Sequence, residues 1–187
     1  MKHTVPFKKP TPEEIKAACG KTVTDVITKG LSILFCGINP GLYSGAVGHH
    51  FARPGNRFWK ALHRSGITPR LLEPWEERHL LEYGCGITNL VGRATALASE
   101  LTRDELVKGR LRLAGKIGWY KPKIVGILGI SAYRIGFRKS RAEIGSQPGK
   151  IGDSQVWVLP NPSGLNAHYQ VPDLARLFRQ VKGAALS

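Results

Sequence analysis

A chain of 187 residues, 42% hydrophobic and 22% charged, has the size and composition of one compact domain with a real core. Charge is its unusual property: 28 Lys and Arg against 13 Asp and Glu give a formal net charge of +15, which points to a polyanion, above all a nucleic acid, with a generally basic surface as the bland alternative. Three widely spaced cysteines (Cys19, Cys36, Cys85) without a CxxC pair argue against a zinc site, a disulfide framework or an iron–sulfur cluster.

No apolar run reaches membrane-spanning length, and the basic Met1–Pro10 stretch has no apolar core behind it. A cytoplasmic protein with no membrane partner is therefore expected.

Met1–Pro10 reads as a mobile basic arm. Thr11-Pro12-Glu13-Glu14 carries the marks of a helix start, with Thr as N-cap, Pro at the first helical position and Glu three residues after the cap, for a helix running to about Ala18. Leu31–Cys36 (LSILFC) is a buried strand that runs into Gly-Ile-Asn-Pro-Gly. The Gly-rich stretch Gly37–Gly55 reads as a long loop. Asn56–Arg64 takes helical spacing with Phe58, Trp59 and Leu62 on one face, and Glu73–Tyr83 is a second helix closed by Gly84. Thr102-Arg103-Asp104-Glu105 is a capping box opening a long amphipathic helix to about Tyr120. Lys123–Gly129 is a second buried strand, followed by a short helix near Ser131–Phe137. Gln155–Leu159 is a third strand, running into Pro-Asn-Pro-Ser-Gly, and Pro172–Val181 is a last helix. No repeat or long linker divides the chain, so the expectation is an extension over residues 1–30 and a single domain over 31–187.

Apolar strands separated by helices predict an α/β fold: a mostly parallel sheet covered on both faces, in three α/β/α layers. In such sheets ligands bind beyond the carboxyl ends of the strands. Parallel strands would bring GINPG, after the first strand, and NPSG, after the third, to one rim.

The GINPG loop (Gly37–Gly41) lacks the Gly-Lys-Ser/Thr ending of a phosphate loop, and no GxGxxG is present. Asn39 carries an amide that both donates and accepts hydrogen bonds; it serves either a ligand or its own turn. In Pro160–Leu165 two prolines stiffen a turn that ends in Gly164 and Leu165. An exposed apolar tip suits a wedge that fills the gap left by an extruded base; the alternative is a Leu folded onto the core. Phe51 is either a stacking platform for a flipped base or a core ring. His49–His50, without a third ligand nearby, reads as a surface pair, and no metal or cofactor is expected. Ser163 lies outside any GxSxG elbow, and neither loop holds an Asp or Glu, so neither a serine nucleophile nor a carboxylate pair is visible. Asp104 or Asp153 would assist only if the fold carried them to the pocket.

FCGINPG (Phe35–Gly41), FARPGNRFWKAL (Phe51–Leu62), GITNLV (Gly86–Val91), ILG (Ile127–Gly129) and WVLPNPSGL (Trp157–Leu165), in unbroken order, closely resemble the mismatch-specific uracil-DNA glycosylases. These are bacterial relatives of thymine-DNA glycosylase within the uracil-DNA glycosylase superfamily. The resemblance spans roughly Leu31 to Val181. It implies a uracil-DNA glycosylase-like fold, with Asn39 as the catalytic residue that positions the attacking water. It implies further that Phe51 stacks on the flipped base, that Asn161 contacts the base or fixes the site, and that Ile38, Tyr43 and Ser44 line the pocket. Ser163, Gly164 and Leu165 would meet DNA, with Leu165 entering the base stack. Some relatives carry an Arg shortly after that Leu, where this chain reads Asn166-Ala167-His168. The implied activity is a DNA-repair glycosylase, acting as a monomer on double-stranded DNA that contains uracil or a mismatched pyrimidine. A non-catalytic nucleic-acid-binding module and a small-molecule α/β hydrolase are the competing readings.

Overall fold

In the computed structural model, residues 8–187 are described; residues 1–7, most of the arm expected from Met1–Pro10, lie outside the described residues. Five strands form one sheet in the order β2-β1-β3-β5-β4. Strands β1 (Ile33–Gly37), β2 (Cys85–Asn89), β3 (Ile124–Leu128) and β5 (Ser154–Leu159) run parallel, and β4 (Gly145–Ile151) pairs antiparallel with β5 at the edge. Strict alternation sends the side chains of β1 to two cores. Ile33 and Phe35 pack with α3 (Phe58–Arg64) and α6 (Val171–Leu186), against Phe58, Leu62, Leu174 and Phe178. Leu34 and Cys36 pack on the other face, with Leu113 and Ile117 of α4 (Arg103–Tyr120) and Tyr133 of α5 (Ile130–Gly136). The α/β/α layering expected from the sequence is the architecture observed. Burial pushes the Cys36 and Cys85 thiols up to about 12, which makes them core residues rather than nucleophiles.

Several elements differ from expectation, each for a local reason. The stretch expected as a long loop contains α2 (Leu42–Val47), a helix too short to show a period, bracketed by Gly41 and by Gly48 at φ 74°. It is held by contacts across the chain: a Cβ on Gly45 would lie 2.9 Å from that of Ala94. Strand β2 escapes an apolar scan because Gly86, Thr88 and Asn89 interrupt it; Gly86 is required there because a Cβ would stand 2.5 Å from the Val26 carbonyl oxygen. Strand β4 is polar and carries Pro148 and a register shift between Ser146 and Lys150, as edge strands do. Pro74–Tyr83 is a 3₁₀ helix rather than an α-helix, and α6 continues past Val181 to Leu186.

The capping box of Thr11 and Glu14 starts α1 (Pro12–Lys16), and the chain after it packs onto the β2 side of the sheet. Val26 exchanges both backbone hydrogen bonds with Ile87, and Asp25 meets Lys116 of α4 and the Thr88 hydroxyl. Among the described residues, no helix is long and apolar enough to cross a membrane.

Helix α4 lies against the end of β2 through Gly109, where a Cβ would come within 2.4 Å of the Leu90 carbonyl oxygen. Gly109→Ala should therefore destabilise the protein by about 1–3 kcal/mol through overpacking, despite the higher helix propensity of Ala. Gly118→Ala on the same helix faces open space and should stabilise by up to about 1 kcal/mol. Urea unfolding of the two variants checks the pair.

Candidate active site

Parallel pairing of β1, β3 and β5 delivers the GINPG and NPSG loops to one rim, as the sequence predicted. There they enclose a cavity of about 340 Å³ lined by Ile38, Asn39, Ser44, Phe51, Asn161, Ser163 and Leu165, together with His50, Asn89 and Thr95. That volume lies at the small end of ligand-sized pockets, about 300–1,000 Å³.

Asn39 is fixed by acceptors alone. Its Nδ2 donates to the Pro40 carbonyl at 3.1 Å, the Arg93 carbonyl at 3.0 Å and Thr95 Oγ1 at 2.7 Å. Thr95 spends its own proton on the Leu97 carbonyl, 2.8 Å away, so its oxygen can only accept from Asn39. Nitrogen is thereby assigned to that side of the amide, and Oδ1 remains as a free acceptor.

The shelf beneath Asn39 is pinned from several directions. Leu90 and Val91 donate to the Gly37 and Ile38 carbonyls, and Thr95 donates to that of Pro40. Ala94 is bonded on both sides by the N-terminal segment: its N–H donates to Lys21 O at 2.7 Å, and its carbonyl accepts from Gly20 at 2.9 Å. Arg93 is anchored by both oxygens of Glu105, and that guanidinium holds the Glu105 carboxyl down to about 2.

Phe51 adopts φ 52°, a left-handed conformation that a bulky residue holds only when its surroundings enforce it. Phe58 stacks on one face with ring centroids 4.2 Å apart, and the ring lines the cavity. Phe51 therefore belongs in part to the core, through Phe58, and in part to the cavity wall. Gly37 makes room for it, because a Cβ there would stand 3.3 Å from Phe51 Cζ and 2.5 Å from Asn89 Oδ1.

Two further residues join the lining: Asn89, at the tip of β2, to which the sequence assigns no role, and His50, which it places in a surface pair. Their signal was the GITN run beside the HHF run, which become neighbours only through the β1–β2 register. His50 is 2% exposed, which overturns its expected place in a surface pair. Its Nε2 faces the Thr24 carbonyl at 3.0 Å, which can only accept, so Nδ1 is left to accept from Asn89 Nδ2 at 3.3 Å. Behind it, Glu77 accepts from the His50 N–H at 2.8 Å and pairs with His49 Nδ1 at 2.9 Å. Among the described residues, no group of three or more His, Cys, Asp or Glu is arranged to hold a metal ion.

One expected lining residue lies elsewhere. Tyr43 faces a neighbouring cavity of about 290 Å³ beside Trp59, Lys60 and Trp75. The turn of α2 that buries Ser44 inward, where its Oγ accepts from the Ala52 N–H at 3.1 Å, rotates Tyr43 away. Among the described residues, no Asp or Glu lines the cavity that holds Asn39. Asp104 opens α4 with a side chain 86% exposed, and Asp153 sits in the turn between β4 and β5, so neither supplies an acid there.

The second loop is tied together by its own amides. Asn161 Oδ1 accepts from the Ser163 N–H at 3.0 Å, and Asn166 Nδ2 donates to the Asn161 carbonyl at 3.0 Å. Leu165 stands out at 65% exposure, so it is an exposed tip and not a residue folded onto the core. Arg57 holds the loop from below: one guanidinium nitrogen donates to the carbonyls of Ser163 (3.1 Å), Asn166 (2.6 Å) and Tyr169 (3.1 Å), and its backbone N–H donates to Pro162 O.

Two outcomes follow from this geometry. Arg57→Ala leaves three carbonyls without their charged donor and frees the Leu165 loop, so retention of DNA with an unpaired pyrimidine should weaken about 10-fold, measured by titration. Burial holds the His50 pKa below its ordinary 6.5, outweighing the opposing pull of the Glu77 carboxylate. Its neutral form is the folded form, so its stabilising effect is complete above about pH 6.5 and is lost as pH falls below that value. A series of urea melts from pH 7.5 to 5 should show that decline, reduced in His50→Gln.

The geometry meets a match on independent grounds. The protein-family model described as the Uracil DNA glycosylase superfamily matches residues 24–182, most of the chain and both loops of the rim. This chain belongs to the uracil-DNA glycosylase superfamily, and is therefore a DNA N-glycosylase that removes uracil from DNA.

Proposed function

We propose that this protein is a mismatch-specific, monofunctional uracil-DNA glycosylase that flips the base out of a duplex and leaves an abasic site. The observation that carries this reading is the Asn39 amide, whose nitrogen is tied by three acceptors so that Oδ1 is left to orient a water in the cavity it shares with Phe51 and Leu165. The flipped pyrimidine stacks on Phe51 within reach of the amides of Asn89 and Asn161, while Leu165 fills the gap in the stack.

An amide suits this chemistry although it is a poor base. The bond between C1′ and the base breaks first, with its electron pair leaving on a delocalised anion. Water then adds its oxygen to C1′, and its proton ends on the departed base. The protein has only to place one water and stabilise the leaving anion, which is positioning and electrostatics rather than proton abstraction. The absence of carboxylates from the cavity lining agrees with that division. Neither motif loop holds a Lys, so no Schiff base to the sugar forms and the product is an intact abasic strand. Turnover is modest and strongest on weakly paired bases, because the cost of unstacking and unpairing, a few kcal/mol, is least at a mismatch. A monomer acting in the cytoplasm on mismatched duplex DNA completes the proposal.

Asn39→Ala should slow cleavage of a uracil duplex by about 100-fold or more while leaving DNA binding measurable. Asn39→Asp should not rescue it, because a carboxylate oxygen would face the Pro40 and Arg93 carbonyls and a Thr95 hydroxyl already committed elsewhere. Single-turnover assays read out by alkaline strand breakage check both variants. Normal cleavage by Asn39→Ala would place the chemistry on another residue. A wild-type chain that binds DNA without cutting at uracil after alkali would favour the non-catalytic binding module.

A further inference from the structure

Arg53 stands at the junction of three hollows. It lines the catalytic cavity, the neighbouring cavity that holds Tyr43, and a cleft of about 330 Å³ between the turn at residues 53–57 and the turn at residues 163–165. Among the described residues it is the only Lys or Arg in the catalytic cavity's lining. Arg57, the other cation of the cleft, is consumed by three loop carbonyls. The exposed Arg53 side chain makes no hydrogen bond or ion pair among the described residues.

The cleft is otherwise built for an anion. No acidic residue lines it, and the backbone N–H groups of Gly55 and Gly164 donate to no described group. The two turns also touch closely: a Cβ on Gly164 would lie 3.0 Å from the Gly55 carbonyl oxygen, and Gly55 itself holds φ +85°. A position this crowded keeps the cleft's walls at a fixed spacing.

We propose that Arg53 and this cleft form a phosphodiester-binding site, taking the DNA backbone phosphate beside the flipped nucleotide on the Leu165 side. The proposal rests on the glycosylase reading above. A flipped nucleotide stays joined to both neighbours, so a base seated in the cavity must leave its flanking phosphates at the cavity's edge. The cleft shares Arg53, Asn56, Ser163 and Leu165 with that cavity, which places it at this edge. An unpaired guanidinium there meets the phosphate with a charge-assisted pair of hydrogen bonds and needs no partner broken first.

The test uses the full chain and a duplex with one uracil opposite guanine, with half-saturating protein concentration measured in single turnover across a salt series. Arg53→Ala should raise that concentration about 10-fold. It should also flatten the slope against log salt by about 0.9, the contribution of one phosphate contact. Arg112→Ala, an equal charge change on the exposed side of α4, should leave the slope unaltered. Arg53→Lys should retain the slope. A neutral methylphosphonate at the phosphate on the wedge side should weaken the wild type but not Arg53→Ala, since both changes delete one contact. Additive losses in that cycle, or an Arg53→Ala slope equal to wild type, would overturn the proposal. A changed preference for the base opposite uracil with the slope intact would overturn it too, assigning Arg53 to that base instead. If Arg53→Ala fails to fold, the methylphosphonate effect on wild type and Arg53→Lys decides alone. Failure of the wild type to cleave uracil would count against the glycosylase reading alone; the same variants and salt series are then compared by direct titration of DNA binding, where an unchanged Arg53→Ala slope would still overturn the phosphate site.

Discussion

An amide nitrogen surrounded only by acceptors has one way to sit, and the rim of this protein is organised around that constraint. Asn39 Nδ2 faces the carbonyls of Pro40 and Arg93 and a Thr95 hydroxyl whose proton is spent on Leu97. Rotating the amide by half a turn would set oxygen against oxygen and leave donors unmet, a loss on the order of 1–3 kcal/mol for each buried group. The position of Oδ1 is thereby determined by groups more than fifty residues away in the chain. Those groups stay in place because the loop from Leu90 to Leu97 is bonded to β1, to the N-terminal segment through Ala94, and to the start of α4 through Arg93 and Glu105.

The rest of the site divides into a rigid floor and an exposed tip. The floor is packed from the core outward: Phe58 supports Phe51, Gly37 yields space to Phe51 and Asn89, and the buried, neutral His50 sets the orientation of Asn89. The tip is different. Leu165 is exposed at the end of a loop whose geometry depends on Asn161, Asn166 and Arg57. The floor is thus held by packing and hydrogen bonds from the core, while the tip meets solvent. The charge distribution follows the same logic. The chain carries a net +15, yet the polar groups lining the Asn39 cavity are amides, hydroxyls and a neutral imidazole, with Arg53 the one cation among the described residues there. Long-range attraction to a polyanion is thus separated from the chemistry, which wants oriented dipoles rather than a net charge.

The length of the chain ahead of the first apolar strand takes a share in this organisation. Thr24 supplies the carbonyl that sets the His50 tautomer, and Gly20 and Lys21 clamp Ala94 on the shelf beneath Asn39. The match to the superfamily begins at residue 24, within this stretch. Nothing in the local sequence marks it as part of a site, because its contribution is made by backbone atoms that every residue possesses.

By itself the sequence determined the layered α/β architecture, the two strand-end loops and the residues at their tips, because these rest on local properties. Apolar runs such as Lys123–Gly129 specify buried strands, the capping box at Thr102 starts a helix, and the proline and glycine pattern of Pro160–Leu165 stiffens a turn. Only the tertiary structure decided which atoms of those tips are free and what lies between them. The burial of His50, the turning away of Tyr43, the place of Asn89 and the grip of Arg57 on the Leu165 loop are long-range facts. They follow from strand register and from backbone carbonyls acting as acceptors, and a carbonyl's direction in space is encoded by the whole fold rather than by the residue that bears it.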